Sequence, residues 1–315
     1  PFRRARPAIC QPEPANPAEM PVATRGLAPL HEGKAEDPMP KTILIGAPID
    51  SGQKRAGCLM GPAAYRVAGI AHEISAAGHG IEDWGDLALP ELREVTCPNP
   101  VVHDLAETVG WAEILMDRVD DALSQGGFPI IMGGDHSLAL GSAAGAAAFA
   151  KRQGRPLFLL WLDAHSDFHT PLTTESGNLH GTPVAYIAGR EGFDAFPPFP
   201  APIPAERICL YGIRSVDAAE HAALLRHDIA INDMRVLDER GIVAPLREFL
   251  TAVREAGGML HVSLDVDFLD PSIAPAVGTT VPGGATFREA HLVMELLHES
   301  GLVTSLDLVG TAMKP

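Results

Sequence analysis

The stretch 158–170, FLLWLDAHSDFHT, constrains this chain more than any other. Its first five residues, Phe158 to Leu162, are apolar. Gly154, Arg155 and Pro156 precede them and polar residues follow, which suits a strand buried on both faces. Asp163, His165 and Asp167 then occupy alternate positions. On extended backbone alternate side chains share a face, so the pattern sends two carboxylates and an imidazole to one side. Such a trio is poor core material and a good cage for a hard or borderline cation. The plain alternative is a polar strand exit whose acids are solvated.

The rest of the chain repeats the theme. Apolar runs predict strands over 42–47, 81–87, 128–132, 207–213, 229–234, 260–264 and 302–309. Helical spacing predicts helices over 62–77, 104–124, 138–150, 218–226, 242–256 and 287–299, with Ser137 as the cap of the third. Alternating strands and helices imply an α/β fold with a mainly parallel sheet and helices on both faces. In such sheets ligands bind beyond the carboxyl ends of the strands. His136 follows one predicted strand, the Asp163 group a second, and Asp265 and Asp267 a third. Three strands therefore deliver acids and imidazoles to one rim.

Composition bounds what that rim can serve. The 315 residues are 46% hydrophobic and 20% charged, enough for one large α/β domain or two smaller ones. A formal net charge of −16 argues against nucleic acid or an anionic membrane as partner and suits metal ions or a cationic substrate. Cys10, Cys58, Cys97 and Cys209 are scattered without a CxxC pair, as free thiols of a reducing compartment would be. No apolar run is long enough to span a bilayer, and the N-terminus lacks the apolar core of a secretory signal. Cytoplasm is the expected location. Residues 1–38, rich in Pro, Ala and Glu, are expected to be disordered, with Met39 as the natural start and 39–315 as the ordered domain.

Collected, the candidate ligands are His136, Asp163, His165, Asp167, Asp265 and Asp267. Four carboxylates with two imidazoles carry too much negative charge for an unpaired cluster. One divalent ion does not neutralise four carboxylates; two do. Six side chains fill two coordination shells only if some carboxylates bridge, with the ions ~3.5–4 Å apart in the usual two-metal arrangement. The oxygen-rich set favours manganese over zinc.

GGDHS at 133–137, DAHSD at 163–167 and SLDVDFLDP at 263–271 jointly resemble the three signatures of the ureohydrolases, the family of arginases and agmatinases. The resemblance runs from residue 41 to 309. It implies an arginase-like three-layer α/β/α sandwich, trimeric or hexameric assembly and two Mn²⁺ per chain. It assigns His136, Asp163, Asp167 and Asp265 to one manganese and Asp163, His165, Asp265 and Asp267 to the other. Asp163 and Asp265 would bridge.

The loop after the metal motif, HTPLTTESGNLHGTP at 169–183, is similar to the arginase loop that grips the amino-acid end of arginine; agmatinases lack the SGN element. By that resemblance Ser176 and Asn178 meet the α-carboxylate, with His169 beside them where animal arginases have Asn. Asp217, in IRSVD at 213–217, reads the α-amino group, and Thr279, in GTT, lies on the substrate side. His180 carries protons, a task suited to an imidazole that titrates near neutrality. Asp167 accepts a hydrogen bond from the attacking water. The implied reaction is hydrolysis of L-arginine to L-ornithine and urea. Plain readings stand beside these: turn chemistry for Ser176 and Asn178, a helix N-cap for Asp217, a structural or exposed imidazole for His180, and simple chain reversal around Thr279. Two other functions stay open, an agmatinase or related ureohydrolase and a metal-binding homologue without catalysis.

One position departs from the resemblance. Relatives end the last strand with a pattern like LDLVELNP, whose Glu pairs with the guanidinium. Here the chain reads LDLVGTAMKP, with Gly310 in the place of that Glu and no final helix. Normal or weakened metal binding with strongly reduced arginine hydrolysis is the expectation.

Overall fold

The computed structural model describes residues 40–54, 57–89 and 91–312. The expectations for 1–38, for Met39 as a start, for Cys10 and for the last three residues lie outside them. In chain order the elements are β1 (Thr42–Ala47), α1 (Gly61–Val67), α2 (Ile70–Ala76), β2 (Ile81–Asp86), α3 (Leu105–Ser124), β3 (Phe128–Gly133), α4 (Ala139–Arg152), β4 (Leu157–Leu162) and α5 (Pro183–Ile187). They continue as β5 (Ile208–Tyr211), α6 (Ala218–Arg226), β6 (Ala230–Asn232), α7 (Met234–Arg240), α8 (Val243–Glu255), β7 (Met259–Asp265), α9 (Phe287–Ser300) and β8 (Val303–Val309).

All eight strands join one parallel sheet in the order β2-β1-β3-β8-β7-β4-β5-β6. The period-two alternation of strand side chains sorts the core onto its two faces. Ile43, Ile45, Leu159, Trp161 and Leu210 face α3, α4, α5 and α6. Phe158, Leu160, Leu162, Tyr211 and Val262 face α7, α8 and α9, while Leu44 and Met132 face α1 and α2. The result is a three-layer sandwich. No helix among the described residues is long and apolar enough to cross a membrane.

The helix predicted over 62–77 is two helices. Gly69 between them has φ +88°, a left-handed conformation that stops α1 and restarts the chain as α2. Residues after 232 form the short helix α7, which the strand predicted over 229–234 partly overran; Asp233 starts it by accepting from the Val236 N–H. Ser137 does not cap the helix after β3. A 3-10 turn, His136–Leu138, leads into that helix, and Asp135 caps the turn by taking the Ser137 N–H at 2.8 Å.

Small residues bring α3 and α4 close. A Cβ at Gly141 would lie 2.6 Å from Ala112 O, and one at Gly145 would lie 2.5 Å from Met116 O. This contact anchors the helix that follows the first metal motif. Gly145→Val is expected to destabilise the fold by about 1–3 kcal/mol through overpacking. A lowered urea midpoint would show it, and an unchanged midpoint would mean the two helices separate freely.

Candidate metal centre

Strands β3, β8, β7 and β4 are neighbours, and their carboxyl ends make the site. His136 follows β3, Asp163 follows β4, and β7 ends at Asp265 with Asp267 two residues on. Extended geometry does not persist through 163–167, as the alternating pattern implied. The strand stops at Leu162, the chain bends, and Asp167 sits at φ +46°. The three side chains converge through a loop, and a non-glycine residue in the left-handed region there marks a locally strained backbone.

Asp163 is shared. Its Oδ2 lies 2.8 Å from His136 Nδ1, and its Oδ1 lies 3.3 Å from His165 Nδ1. Asp167 and Asp265 each bring an oxygen to 3.4 Å from His136 Nδ1, and Asp267 Oδ2 is 3.1 Å from His165 Nδ1. Two donor groups result, His136–Asp163–Asp265 and Asp163–His165–Asp267. All six predicted ligands are together. Asp265 faces the first group with Oδ2, while its Oδ1 takes the Asp267 N–H at 2.8 Å.

What the cluster wants follows from the hydrogens behind it. Asp307 is fully buried on β8, and its Oδ2 receives Ser142 Oγ, Ser263 Oγ and His261 Nε2 at 2.8, 3.0 and 3.0 Å. A carboxylate only accepts, so the single Ser263 hydroxyl hydrogen goes to Asp307. The Ser263 oxygen then accepts from His136 Nε2 at 2.9 Å. That points His136 Nδ1 at the carboxylate oxygens, where its lone pair is the one available to a metal ion. His136 Nδ1 and Asp163 Oδ2 are both buried without a hydrogen-bond partner among the described residues. Two such atoms 2.8 Å apart share a positive charge: burial works to lower His136, but Asp163 and Asp265 outweigh it and hold the imidazole well above its usual range, so Nδ1 carries a proton unless a metal ion takes its place. The donor set therefore fits metal ions, and Trp161, stacked on the His136 ring at 3.9 Å, fixes the ring plane.

Protonation tells the same story. Burial raises Asp267, and the charges of Asp265 and Asp163 raise it further, to about 7. Burial raises Asp167 too, with Asp163 next. Burial works to lower His165, but Asp163 and Asp267 overcome it and push it up to about 12. Protons here stand in for missing positive charge, a role that metal ions take over.

The surrounding residues hold this arrangement. Thr279 Oγ1 donates to Asp267 Oδ2 at 2.9 Å, so its hydroxyl serves a ligand carboxylate. Arg214 donates to the carbonyls of Asp267 and Val281 at 2.6 and 2.8 Å, pinning the loop beyond β7. Asp217 is the N-cap of α6, taking Ala219 and Glu220 N–H groups on Oδ1, while its Oδ2 lies 2.6 Å from His169 Nε2. Partial burial raises Asp217, but the Glu220 N–H and His169 outweigh it and hold the carboxyl below its usual range. Ser176 Oγ accepts the Asn178 N–H at 3.2 Å, a local turn bond.

His180 departs from the expected neutral-range titration. Desolvation, followed by the positive charge of His165, pushes it down to about 4, so its imidazole rests neutral. Sequence reasoning missed Glu220, which takes Ser166 Oγ and the Phe168 N–H and braces the strained loop. It also missed Asp307 and its partners. His261, Ser263 and Asp265 do alternate on one strand, a polar stripe visible in the sequence.

A three-layer α/β/α protein with a shared-carboxylate metal cluster at the rim of a parallel sheet is the class that this fold and site define. The description of the Arginase family matches residues 40–313. An arginase from Brucella melitensis is 55% identical over 84% of this chain and 87% of its own length, and one from Agrobacterium fabrum is 50% identical over 87% and 85%. The native structure of arginase from Bacillus caldovelox superposes with a TM-score of 0.79 at 36% identity, covering 87% of this chain and 91% of that one. The chain belongs to the arginase family.

Ser263→Ala leaves the His136 N–H buried without an acceptor. A loss of about 1–3 kcal/mol in stability is expected, together with weaker metal retention. Denaturant unfolding and metal content after dialysis check it; wild-type values in both would remove Ser263 from this role.

Proposed function

We propose that this protein hydrolyses L-arginine to L-ornithine and urea with two Mn²⁺ ions, at a rate reduced by Gly310. The division of the Asp163 oxygens between His136 and His165 supports a pair of ions, and the oxygen-rich donors favour manganese. His136, Asp163, Asp167 and Asp265 would hold one ion and Asp163, His165, Asp265 and Asp267 the other. When bound, such ions lower the pKa of water and polarise the group it attacks.

The chain's residues supply position and proton traffic. Ser176 and Asn178 take the α-carboxylate, with His169 beside them, and Asp217 takes the α-amino group. Asp167 accepts a hydrogen bond from the attacking water. His180, neutral at rest, first takes a proton and then delivers it toward the leaving amine. The SGN loop favours arginine over agmatine. Trimeric or hexameric assembly and a cytoplasmic location complete the proposal.

Gly310 is where guanidinium binding weakens. The arginase pattern has a Glu here, whose charge-assisted contact is absent. This backbone does not admit one by simple substitution. Gly310 has φ +81°, and an added Cβ would overlap the Asp265 carboxylate. Its N–H donates to Gly134 O at 2.9 Å and its carbonyl accepts the Gly278 N–H at 3.1 Å, stitching it in place.

Urea release from L-arginine by the Mn²⁺-loaded chain, with metal content of the same sample, tests the reading. Two metals per chain with little urea is expected; ordinary turnover would sink the role given to Gly310, and no metal would sink the centre itself. Asp163→Ala is expected to retain almost no metal and His165→Ala about one ion per chain. Gly310→Glu alone should lose metal and stability without gaining turnover, whereas exchanging the segment from Gly310 onward for the arginase pattern should raise it. Rescue by the point substitution would show that the backbone relaxes around Asp265.

A further inference from the structure

We infer that His103 is a positioning residue: it orients the Asn178 carboxamide so that the substrate loop selects an α-carboxylate. The inference rests on the proposal that Asn178 meets that carboxylate. It starts from the segment before α3, which is built against the substrate loop. Asn99 Nδ2 donates to the carbonyls of Pro171 and Thr174, each at 3.0 Å. Gly177 has φ +78°, and a Cβ there would overlap the Val101 carbonyl, so the two backbones touch. His103 then crosses between them. Its Nδ1 lies 2.9 Å from Asp104 Oδ2, and its Nε2 lies 2.9 Å from Asn178 Oδ1.

The chemistry of these atoms sets the direction. The Asn178 oxygen only accepts, so the hydrogen between the two side chains sits on His103 Nε2, while Asp104 holds the other edge of the ring. With Oδ1 held, the Asn178 Nδ2 hydrogens remain, and no described residue takes them. An amide presenting hydrogens suits an anion. The same amide turned over would present its oxygen and repel one. His103 therefore decides which end of Asn178 a substrate meets.

Asp104 shows that the pair is built rather than incidental. It precedes α3 yet its carboxylate caps nothing there. Its backbone sits at φ +48°, a conformation that non-glycine residues adopt at a cost. The carbonyl of Asp104 holds that shape by accepting from the Thr108 N–H and hydroxyl, and the same hydroxyl reaches Ser51 at 3.0 Å. The left-handed turn frees the carboxylate for His103, whose side chain is only 18% exposed.

The test compares two ligands that differ in the carboxylate alone: L-ornithine and 1,4-diaminobutane, bound to the Mn²⁺-loaded full chain and followed by calorimetry. Neither is hydrolysed, so the rate of turnover is immaterial. His103→Ala is expected to weaken ornithine on the order of tenfold and leave the diamine unchanged. His103→Gln, which can still donate to Asn178 Oδ1, should recover most of that loss. Asn178→Ala is the control for the underlying reading. If it weakens ornithine and His103→Ala does not, the positioning role is overturned and the reading stands. If Asn178→Ala has no effect on ornithine, both fall. Equal weakening of both ligands by His103→Ala would make the residue merely structural and overturn the inference.

Discussion

Four buried carboxylates gathered around two imidazoles cannot be stable without added positive charge, and the rest of the molecule is arranged to create and hold that condition. The parallel sheet brings β3, β8, β7 and β4 side by side, so their ends converge. Asp163 then sits between His136 and His165 with one oxygen toward each. In a solvated setting such a group would spread apart. Here Asp163 and His136 are almost fully buried, and separation is prevented by the packing of both layers. Attraction to cations is the remaining way to relieve the repulsion.

The second requirement is direction, and it comes from behind the sheet. Asp307 receives three hydrogens on one oxygen, and this polarises the chain from Ser263 to His136. An imidazole with Ser263 replaced by an apolar group would be free to place its hydrogen on either nitrogen. With Ser263 committed to Asp307, the hydrogen belongs on Nε2 and the lone pair available to a metal ion on Nδ1. The polar group on α4, Ser142, ties this network to the helix that packs closely on α3. Core packing and ligand chemistry thus share one structural element.

How much of this was readable in the sequence depended on whether local pattern or tertiary contact decides the feature. The strands were readable because apolar runs such as Leu157–Leu162 are buried on both faces and tolerate nothing else. The six candidate ligands could be singled out because each lies at or just past the end of a strand. The break at Gly69 and the start of α4 were misread, since a glycine in a helical pattern admits two outcomes and nothing local announces the 3-10 turn that Asp135 caps before the helix. His180 was placed but its acidity was not, because the walls that desolvate it come from distant segments. His103 carries no local motif at all. Its meaning comes from Asn178, 75 residues away in the chain.

Gly310 and His103 bear on opposite ends of the same proposed substrate. The residues proposed for the amino-acid end are tied to one another: Ser176 to Asn178, His169 to Asp217, and the loop itself to Asn99. At the guanidinium end the arginase pattern's Glu is replaced by a glycine whose backbone is fastened to Gly134 and Gly278. The fastening matters more than the missing side chain. A glycine in an otherwise tolerant backbone would be a simple loss, reversible by one substitution. A glycine at positive φ, where a Cβ would overlap the Asp265 carboxylate, resists replacement unless the surrounding chain moves with it. On the proposed function, the amino-acid end and the metal centre keep their residues in this chain, and the guanidinium end alone loses one.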